Sequence, residues 1–308
     1  MLPPHAVPPR SRLVPQPLKR LILPIWNGGH RFAWRAGELA AAVAQRRFAR
    51  CEVCGRFTLL LHRRWVIAPK LVERWGLSPQ LAAALAHKES DLCVWCGAKL
   101  RARRLARTLL DLYPVDAPAR SAASLAAWIR DPDVRALAVL EVNVIDGVHD
   151  YLSRLPRAVT TDFDPAAAPG SVVQGVRNED LSRLTFADAS FDLVVTSETL
   201  EHVPDLERAV AEIRRVLRPD GRHVFTTPLL PGVPTTYRRA SLGTGGVVTH
   251  LATEIRHPGG DVGYLVYHEF GADLPAILNA AGFEVDVLFG PPRDDDLAQV
   301  FVTRVAIS

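Results

Sequence analysis

Apolar positions change their period along this chain, and the change falls near residue 115. Trp34, Leu39, Val43 and Phe48 recur on one face at helical spacing, so residues 34–49 are expected to form a helix. Phe57–Leu61 is a short apolar run of strand length. Ser78-Pro79-Gln80 supplies an N-cap and a proline at the first helical position, which predicts a helix running to about Lys88. A strongly basic helix is expected over Lys99–Arg107, and Pro114 and Pro118 mark the boundary.

Beyond it, helices and strands alternate. Helices are expected at Ser121–Arg130, Val148–Leu155, Asp205–Leu217 and Ala272–Ala281. Strands are expected at Ala136–Val142, Arg157–Asp162, Ser171–Gln174, Phe191–Ser197, Arg222–Thr227, Phe283–Phe289 and Ala298–Ile307. Arg218–Gly221 is expected as a turn, and residues 228–268 as an irregular insert. This pattern predicts an α/β fold with a doubly wound, mostly parallel, seven-stranded sheet. Ligands of such sheets sit beyond the carboxyl ends of the strands.

Composition and charge refine this. Of 308 residues, 48% are hydrophobic and 23% charged, an ordinary globular balance. No apolar run reaches the roughly 18 residues of a membrane span. No signal peptide is evident, so a cytoplasmic location is expected. Residues 1–30 are proline-rich and expected to be extended or disordered. The net charge of +4 conceals a division: residues 1–113 hold 20 Lys+Arg against 6 Asp+Glu, and the remainder holds 17 against 27. The expected organisation is a tail (1–30), a basic module (31–115) and an acidic α/β domain (116–308).

All four cysteines fall into two Cys-x-x-Cys pairs, Cys51/Cys54 and Cys93/Cys96, each followed by glycine. Four thiolates close a tetrahedral shell, which predicts a structural zinc ion in a small α+β module. The competing readings are a redox dithiol and four unrelated buried cysteines.

The α/β half carries a series of motifs. Leu140–Gly147 ends the first strand, and Asp162 ends the second, 21 residues after Glu141. Asn178-Glu179-Asp180-Leu181 follows the third strand. Phe186–Pro204 includes Ser197-Glu198-Thr199-Leu200-Glu201-His202, and Arg215–Arg222 includes Arg218-Pro219-Asp220-Gly221. This series resembles the class I S-adenosylmethionine-dependent methyltransferases of the type 11-like group, over about residues 121–308. With the cysteine pairs, the chain is similar to methyltransferases that carry an N-terminal zinc-ribbon-like module.

The resemblance implies a Rossmann-like methyltransferase fold, S-adenosylmethionine as cofactor and methyl transfer by in-line displacement. By position it implies that Glu141, Asn143 and Gly147 belong to the first cofactor loop. Asp162 would take the ribose hydroxyls. Glu179, Asp180 and Leu181 would lie along the adenine, and Ser197 and Glu198 would stand where cofactor and substrate meet. One departure is clear: Asn143 and Ile145 stand where the family has glycine, leaving only Gly147.

His202, and His257 and His268 in the insert, are the candidate general bases. Arg238 and Arg239 are candidates for an anionic group on the substrate. The expected acceptor is an oxygen or nitrogen on a small molecule or glycan, with no membrane partner. Two other readings stay open. One is an RNA methyltransferase whose basic module holds the nucleic acid. The other is a non-catalytic binding protein with a degenerate first loop. The sequence does not set the oligomeric state.

Overall fold

The computed structural model describes residues 39–63, 67, 69–74, 76–115, 124–229, 232–257, 263–289 and 297–306. The proline-rich segment, Trp34 and the start of the helix expected at Ser121 lie outside them.

Among the described residues the N-terminal part opens within helix α1 (residues 39–45), which ends before the expected residue 49. Phe48–Arg50 is not helical but forms strand β1, antiparallel to β2 (Phe57–Leu61). The reason is tertiary. The first cysteine pair sits in the turn between these strands, and pairing with β2 overrides the helical spacing. Leu39, Val43 and Phe48 are consequently exposed, and Ala42 is the buried contact of α1. Two helices follow, α2 (Pro69–Arg74) and α3 (Pro79–Lys88). Ser78 Oγ accepts from the Leu81 backbone N–H at 3.2 Å, as an N-cap should. Strand β3 (Leu92–Cys93) pairs with β2 and leads into helix α4 (Leu100–Leu112).

The short helices α5 (Leu125–Trp128) and α6 (Pro132–Ala136) precede the main sheet. Its first strand, β4 (Val139–Val142), is buried throughout, as a central parallel strand must be. Helix α7 (His149–Leu152) leads to β5 (Ala158–Asp162), then β6 (Val172–Val173), β7 (Val176–Asn178) and β8 (Phe191–Ser197). Helix α8 (Leu206–Val216) buries Leu206, Ala209, Val210, Ile213 and Val216, one helical stripe, and runs into β9 (Leu217–Thr226).

The insert after β9 is more ordered than expected. Among the described residues it holds three antiparallel ribbons: β10 (Tyr237–Arg238) with β15 (His268–Glu269), β11 (Ala240–Leu242) with β12 (Val248–His250), and β13 (Arg256–His257) with β14 (Tyr264–Leu265). Helix α9 (Leu274–Ala280) and strands β16 (Phe283–Leu288) and β17 (Val300–Val305) follow.

The main sheet has eight strands among the described residues, in the order β16-β17-β9-β8-β4-β5-β7-β6. β9, β8, β4, β5 and β7 run parallel, and β17 is antiparallel to both its neighbours. This is the doubly wound, mostly parallel fold expected. Two details differ. The third parallel strand is β7 rather than Ser171–Gln174, whose residues Val172–Val173 fold back as the small edge strand β6. Arg218–Gly221 is not a free turn but a bulge within β9. A Cβ at Gly221 would stand 3.0 Å from the Phe191 and Arg218 carbonyl oxygens, so a side chain there would push the bulge's backbone by a few tenths of an ångström.

Helix α4 ties the two halves together. Its buried residues Ala102, Leu105, Ala106 and Leu109 share one apolar cluster with Cys51, Val53 and Cys93 on one side and Val139, Val195, Val224 and Val302 of the sheet on the other. Its charged residues are paired inside the chain. Arg103 grips Glu52 (Nε···Oε2 2.7 Å), Arg107 pairs with Asp111, and Lys99 and Arg101 share Glu89 at 3.0 Å each.

Glu89 therefore couples stability to pH. Burial alone would raise its pKa, but Arg101, Lys88 and Lys99 outweigh burial and hold the carboxyl down to about 2. A carboxylate held lower in the folded chain than in the unfolded one stabilises the fold above its unfolded pKa of roughly 4.3. That contribution is lost as pH falls toward 2, and amounts to about 3 kcal/mol. Denaturant unfolding of Glu89→Gln is expected to show a shallower loss of stability below about pH 5 than the parent. An unchanged acid limb would remove Glu89 from this role.

Candidate functional site

The carboxyl ends of β4, β5, β7 and β8 open onto one cavity of about 1600 Å³. Its floor comes from the loops after these strands. The insert and the N-terminal module supply its walls, the latter through Leu81, Leu85, Lys88, Glu89, Lys99 and Arg101.

The loop after β4 resolves the question raised by the missing glycines. Asn143 has φ 64°, the left-handed conformation that asparagine tolerates better than most residues. Its backbone N–H donates to the Thr161 carbonyl (2.8 Å), and its Nδ2 donates to Thr199 Oγ1 (3.1 Å). Ile145 has no positive φ, is buried, and joins the core cluster around α4. The position that is glycine in the resembling family is here an apolar anchor. Gly147 has φ 68°, and a Cβ there would stand 3.0 Å from the Cβ of Ala98. Its lack of a side chain thus serves the approach of the cysteine module.

Glu141 lies beneath this loop and is fully buried. Its Oε1 accepts from the Ile145 N–H (3.2 Å), and its Oε2 meets Thr160 Oγ1 (2.9 Å) and His149 Nδ1 (2.7 Å). It holds the loop from below and does not line the cavity. Asp162 does line it, from the end of β5, with its Oδ1 accepting from the Phe163 N–H at 2.8 Å. Glu179 reaches the wall, but its carboxylate is bound to Arg177 Nε (2.6 Å) and the Thr185 N–H (2.9 Å). Asp180 accepts from Ser182 through Oδ1, and Leu181 is a buried apolar part of the wall. Ser197 ends β8 and contacts Thr226 Oγ1 at 2.8 Å.

Several lining residues escaped the sequence reading. Val144 and Phe163 are exposed apolar side chains on the cavity. Phe163 follows Asp162 directly, and that adjacency was the available signal. Arg101 gave no such signal. Its guanidinium bonds Glu89, Asp146 Oδ2 (2.9 Å) and Ser197 Oγ (2.7 Å), bridging the loop after β4 to the end of β8. Lys88 is almost wholly buried and pairs with Glu198, a residue at φ 52°.

The candidate bases separate into a pair and a single residue. His202, on a 3-10 turn (Leu200–His202), and His257 of β13 stand edge to face with ring centroids 4.9 Å apart. Glu201 Oε1 lies 3.7 Å from His202 Nε2 and 3.7 Å from His257 Nδ1. Burial, and then the nearby Glu198, push the Glu201 carboxyl up to about 8. Burial lowers His202, and lowers His257 to about 4. His268 is buried beside Phe270 and lies outside this group. Arg238 lines the cavity and bonds the Ala240 and Pro204 carbonyls at 3.2 Å each, while Arg239 is held by Glu269 (2.5 Å) and the Thr253 carbonyl (2.6 Å).

The four cysteine sulfurs converge in the N-terminal module, within 4.8 Å of one another. Cys51–Cys96 and Cys54–Cys93 stand 3.7 and 3.8 Å apart. A tetrahedron with metal–sulfur bonds of about 2.3 Å has edges of roughly 3.8 Å. The two turns repeat each other: Gly55 N–H donates to the Cys51 carbonyl and Gly97 N–H to the Cys93 carbonyl, both at 2.8 Å.

Residues 147–225 match the methyltransferase domain family. The chain is 36% identical over 123 residues to nocamycin O-methyltransferase of Saccharothrix syringae, covering 38% of this chain and 44% of that protein. It is 30% identical over 151 residues to a probable S-adenosylmethionine-dependent methyltransferase of Mycolicibacterium smegmatis, covering 47% of this chain and 50% of that one. The chain thus spans about half the length of the curated relatives it matches. Among solved structures, it is similar to the 1,6-didemethyltoxoflavin N1-methyltransferase of Burkholderia thailandensis, at 24% identity and a TM-score of 0.36. That likeness covers 56% of this chain and 72% of the other.

The loop geometry predicts unequal outcomes at its two substituted positions. Asn143→Gly should cost only about 1 kcal/mol, the worth of its Nδ2–Thr199 hydrogen bond, because the left-handed φ itself suits glycine. Ile145→Gly should cost about 3 kcal/mol or more, because it empties a buried apolar site. Thermal or denaturant unfolding of the two variants checks this, and equal effects would contradict it.

Proposed function

We propose that this protein is an S-adenosylmethionine-dependent methyltransferase acting on an oxygen or nitrogen acceptor of a small molecule or glycan. The observation that carries the reading is the cavity at the carboxyl ends of β4, β5 and β8. Asn143 holds its loop open, an acidic residue ends β5, and the insert covers the far side.

The residues fit that cofactor. Its sulfonium needs no phosphate cradle, and the loop offers none. Asp162 would accept hydrogen bonds from the ribose hydroxyls. Phe163 and Leu181 would supply apolar contact for the adenine, with Asp180 at its polar edge. When bound, the cofactor supplies an electrophilic methyl carbon on a good leaving group. The task left to the chain is alignment of the acceptor and exclusion of water. Arg101 fixes the loop after β4 against Ser197, which holds the meeting place of cofactor and acceptor rigid. A small-molecule acceptor suits a chamber walled by the insert and by α3.

The four cysteines are proposed to hold a structural zinc ion that fixes β1, β2 and the start of α4. Four metal-binding thiols suit a reducing compartment, so we place the protein in the cytoplasm. Among the described residues, no helix is long and apolar enough to cross a membrane. An RNA substrate is the weaker reading, because Lys99, Arg101, Arg103 and Arg107 each bond a carboxylate of the same chain. The non-catalytic reading loses its main argument, since Ile145 occupies its place without the backbone conformation that glycine would supply.

Calorimetry with S-adenosylmethionine and its demethylated product tests the proposal. Both should bind, and Asp162→Ala should weaken each by about 10- to 100-fold, the worth of a hydrogen bond to a charged group. No binding by the parent chain would overturn the reading. Metal analysis should find zinc held by the cysteines, reduced by one equivalent in a Cys93→Ser/Cys96→Ser variant that also unfolds more easily. Zinc retained at full occupancy in that variant would place it elsewhere.

A further inference from the structure

We propose that Glu201, His202 and His257 form a second metal site, for a divalent cation that takes imidazole and carboxylate ligands. The site lies in the wall of the cavity, separate from the cysteines. Its purpose rests on the methyl-transfer reading; its existence does not.

Three observations converge. First, one ligand atom from each residue lies within 4.8 Å of the others. Glu201 Oε1 stands 3.7 Å from His202 Nε2 and 3.7 Å from His257 Nδ1. Ligand atoms on one ion, each about 2.1 Å from it, stand roughly 3.0–3.4 Å apart. The two Glu201 contacts need to shorten by about 0.3–0.7 Å, and rotation of the imidazoles, whose nitrogens lie within 4.8 Å of each other, closes the site.

Second, the tautomer of His202 is set from outside. Its Nδ1 lies 2.8 Å from the Leu265 carbonyl oxygen, which only accepts, so Nδ1 carries the proton. That leaves the Nε2 lone pair turned toward Glu201 Oε1. A backbone carbonyl on the far nitrogen of a histidine is the outer support that metal-bound histidines usually have.

Third, Glu201 is buried to 1% exposure, and its Oε1 has no hydrogen-bond partner, whereas Oε2 is satisfied by Thr227 Oγ1 at 3.0 Å. A buried carboxylate oxygen aimed at a histidine lone pair is a place for a positive charge. Lys88 reaches Glu201 only through space, because its ammonium pairs directly with Glu198.

Two imidazoles and one carboxylate leave coordination positions open. This donor set suits zinc, iron(II), cobalt(II) or manganese(II). All three residues line the cavity, so an open position faces the place of the acceptor. A cation there would bind an acceptor hydroxyl and lower its pKa, which favours an oxygen acceptor over an amine. The isolated His268 then has no part in activating the acceptor.

Manganese(II) separates this site from the cysteines, since thiolates select softer ions. The full chain is dialysed against a weak chelator and titrated with Mn²⁺, with free Mn²⁺ followed by electron paramagnetic resonance. One bound equivalent is expected in the parent. His257→Gln and Glu201→Gln should each weaken binding at least tenfold, with unchanged melting temperature and cysteine-held zinc in at least the His257 variant. Calorimetry on the same samples reads cofactor binding independently. Cofactor binding without Mn²⁺ binding would overturn this site and leave the methyltransferase reading standing. Equal Mn²⁺ affinity in parent and variants would overturn it as well.

Discussion

The arrangement of this molecule depends on two buried cations delivered from the N-terminal module to the carboxyl edge of the sheet. Arg101 binds Glu89, Asp146 and Ser197 at once, and Lys88 binds Glu198 beside it. Each cation leaves water only because carboxylates meet it, and each carboxylate belongs to a loop that shapes the cavity. Removing one partner would strand a buried charge, a far larger penalty than breaking an exposed pair. The cysteine module is thereby more than an appendage. It sets the direction of α4, and α4 sets where Arg101 enters.

The division of charge along the chain acquires its meaning from this network. A basic segment ahead of an acidic domain suggests an external anion. In the folded chain the helix that concentrates those charges buries its apolar stripe against the sheet. Lys99 and Arg101 meet Glu89 and Asp146, while Arg103 meets Glu52 in the cysteine turn. Lys88, Lys99 and Arg101 reach carboxylates of the acidic domain, Glu198 and Asp146, so attraction between the two parts accounts for part of the asymmetry, and pairing within the basic module neutralises the rest of this helix.

The loop after β4 makes a similar point. The pattern of the family it resembles calls for glycine where the backbone must come close to a ligand or adopt positive φ. Here only two positions use positive φ, Asn143 and Gly147. Glu141 secures the loop from below by accepting the Ile145 N–H. The loop is held by a buried carboxylate and an isoleucine anchor rather than by a run of glycines, and that anchor also packs the cysteine module against the sheet.

The sequence by itself determined the elements whose signals are local. Ser78-Pro79 began α3 where an N-cap and a pre-set φ require it, and the apolar runs of β4 and β8 were legible as buried parallel strands. The helical stripe of α8 and the doubled Cys-x-x-Cys spacing were legible too, and strand–helix alternation was enough for the sheet. Tertiary structure alone decided the rest. Phe48 left its helical pattern because β2 offered a partner. Lys88 and Arg101 joined the cavity because side chains 110 and 96 positions away in the chain met them there. His202 and His257 came together, and His268 did not, because ribbon pairing in the insert sets that distance. Periodicity and capping act over a few residues and can be read along the chain. Charge pairing and convergence of ligands act through space, and only the folded chain brings their partners together.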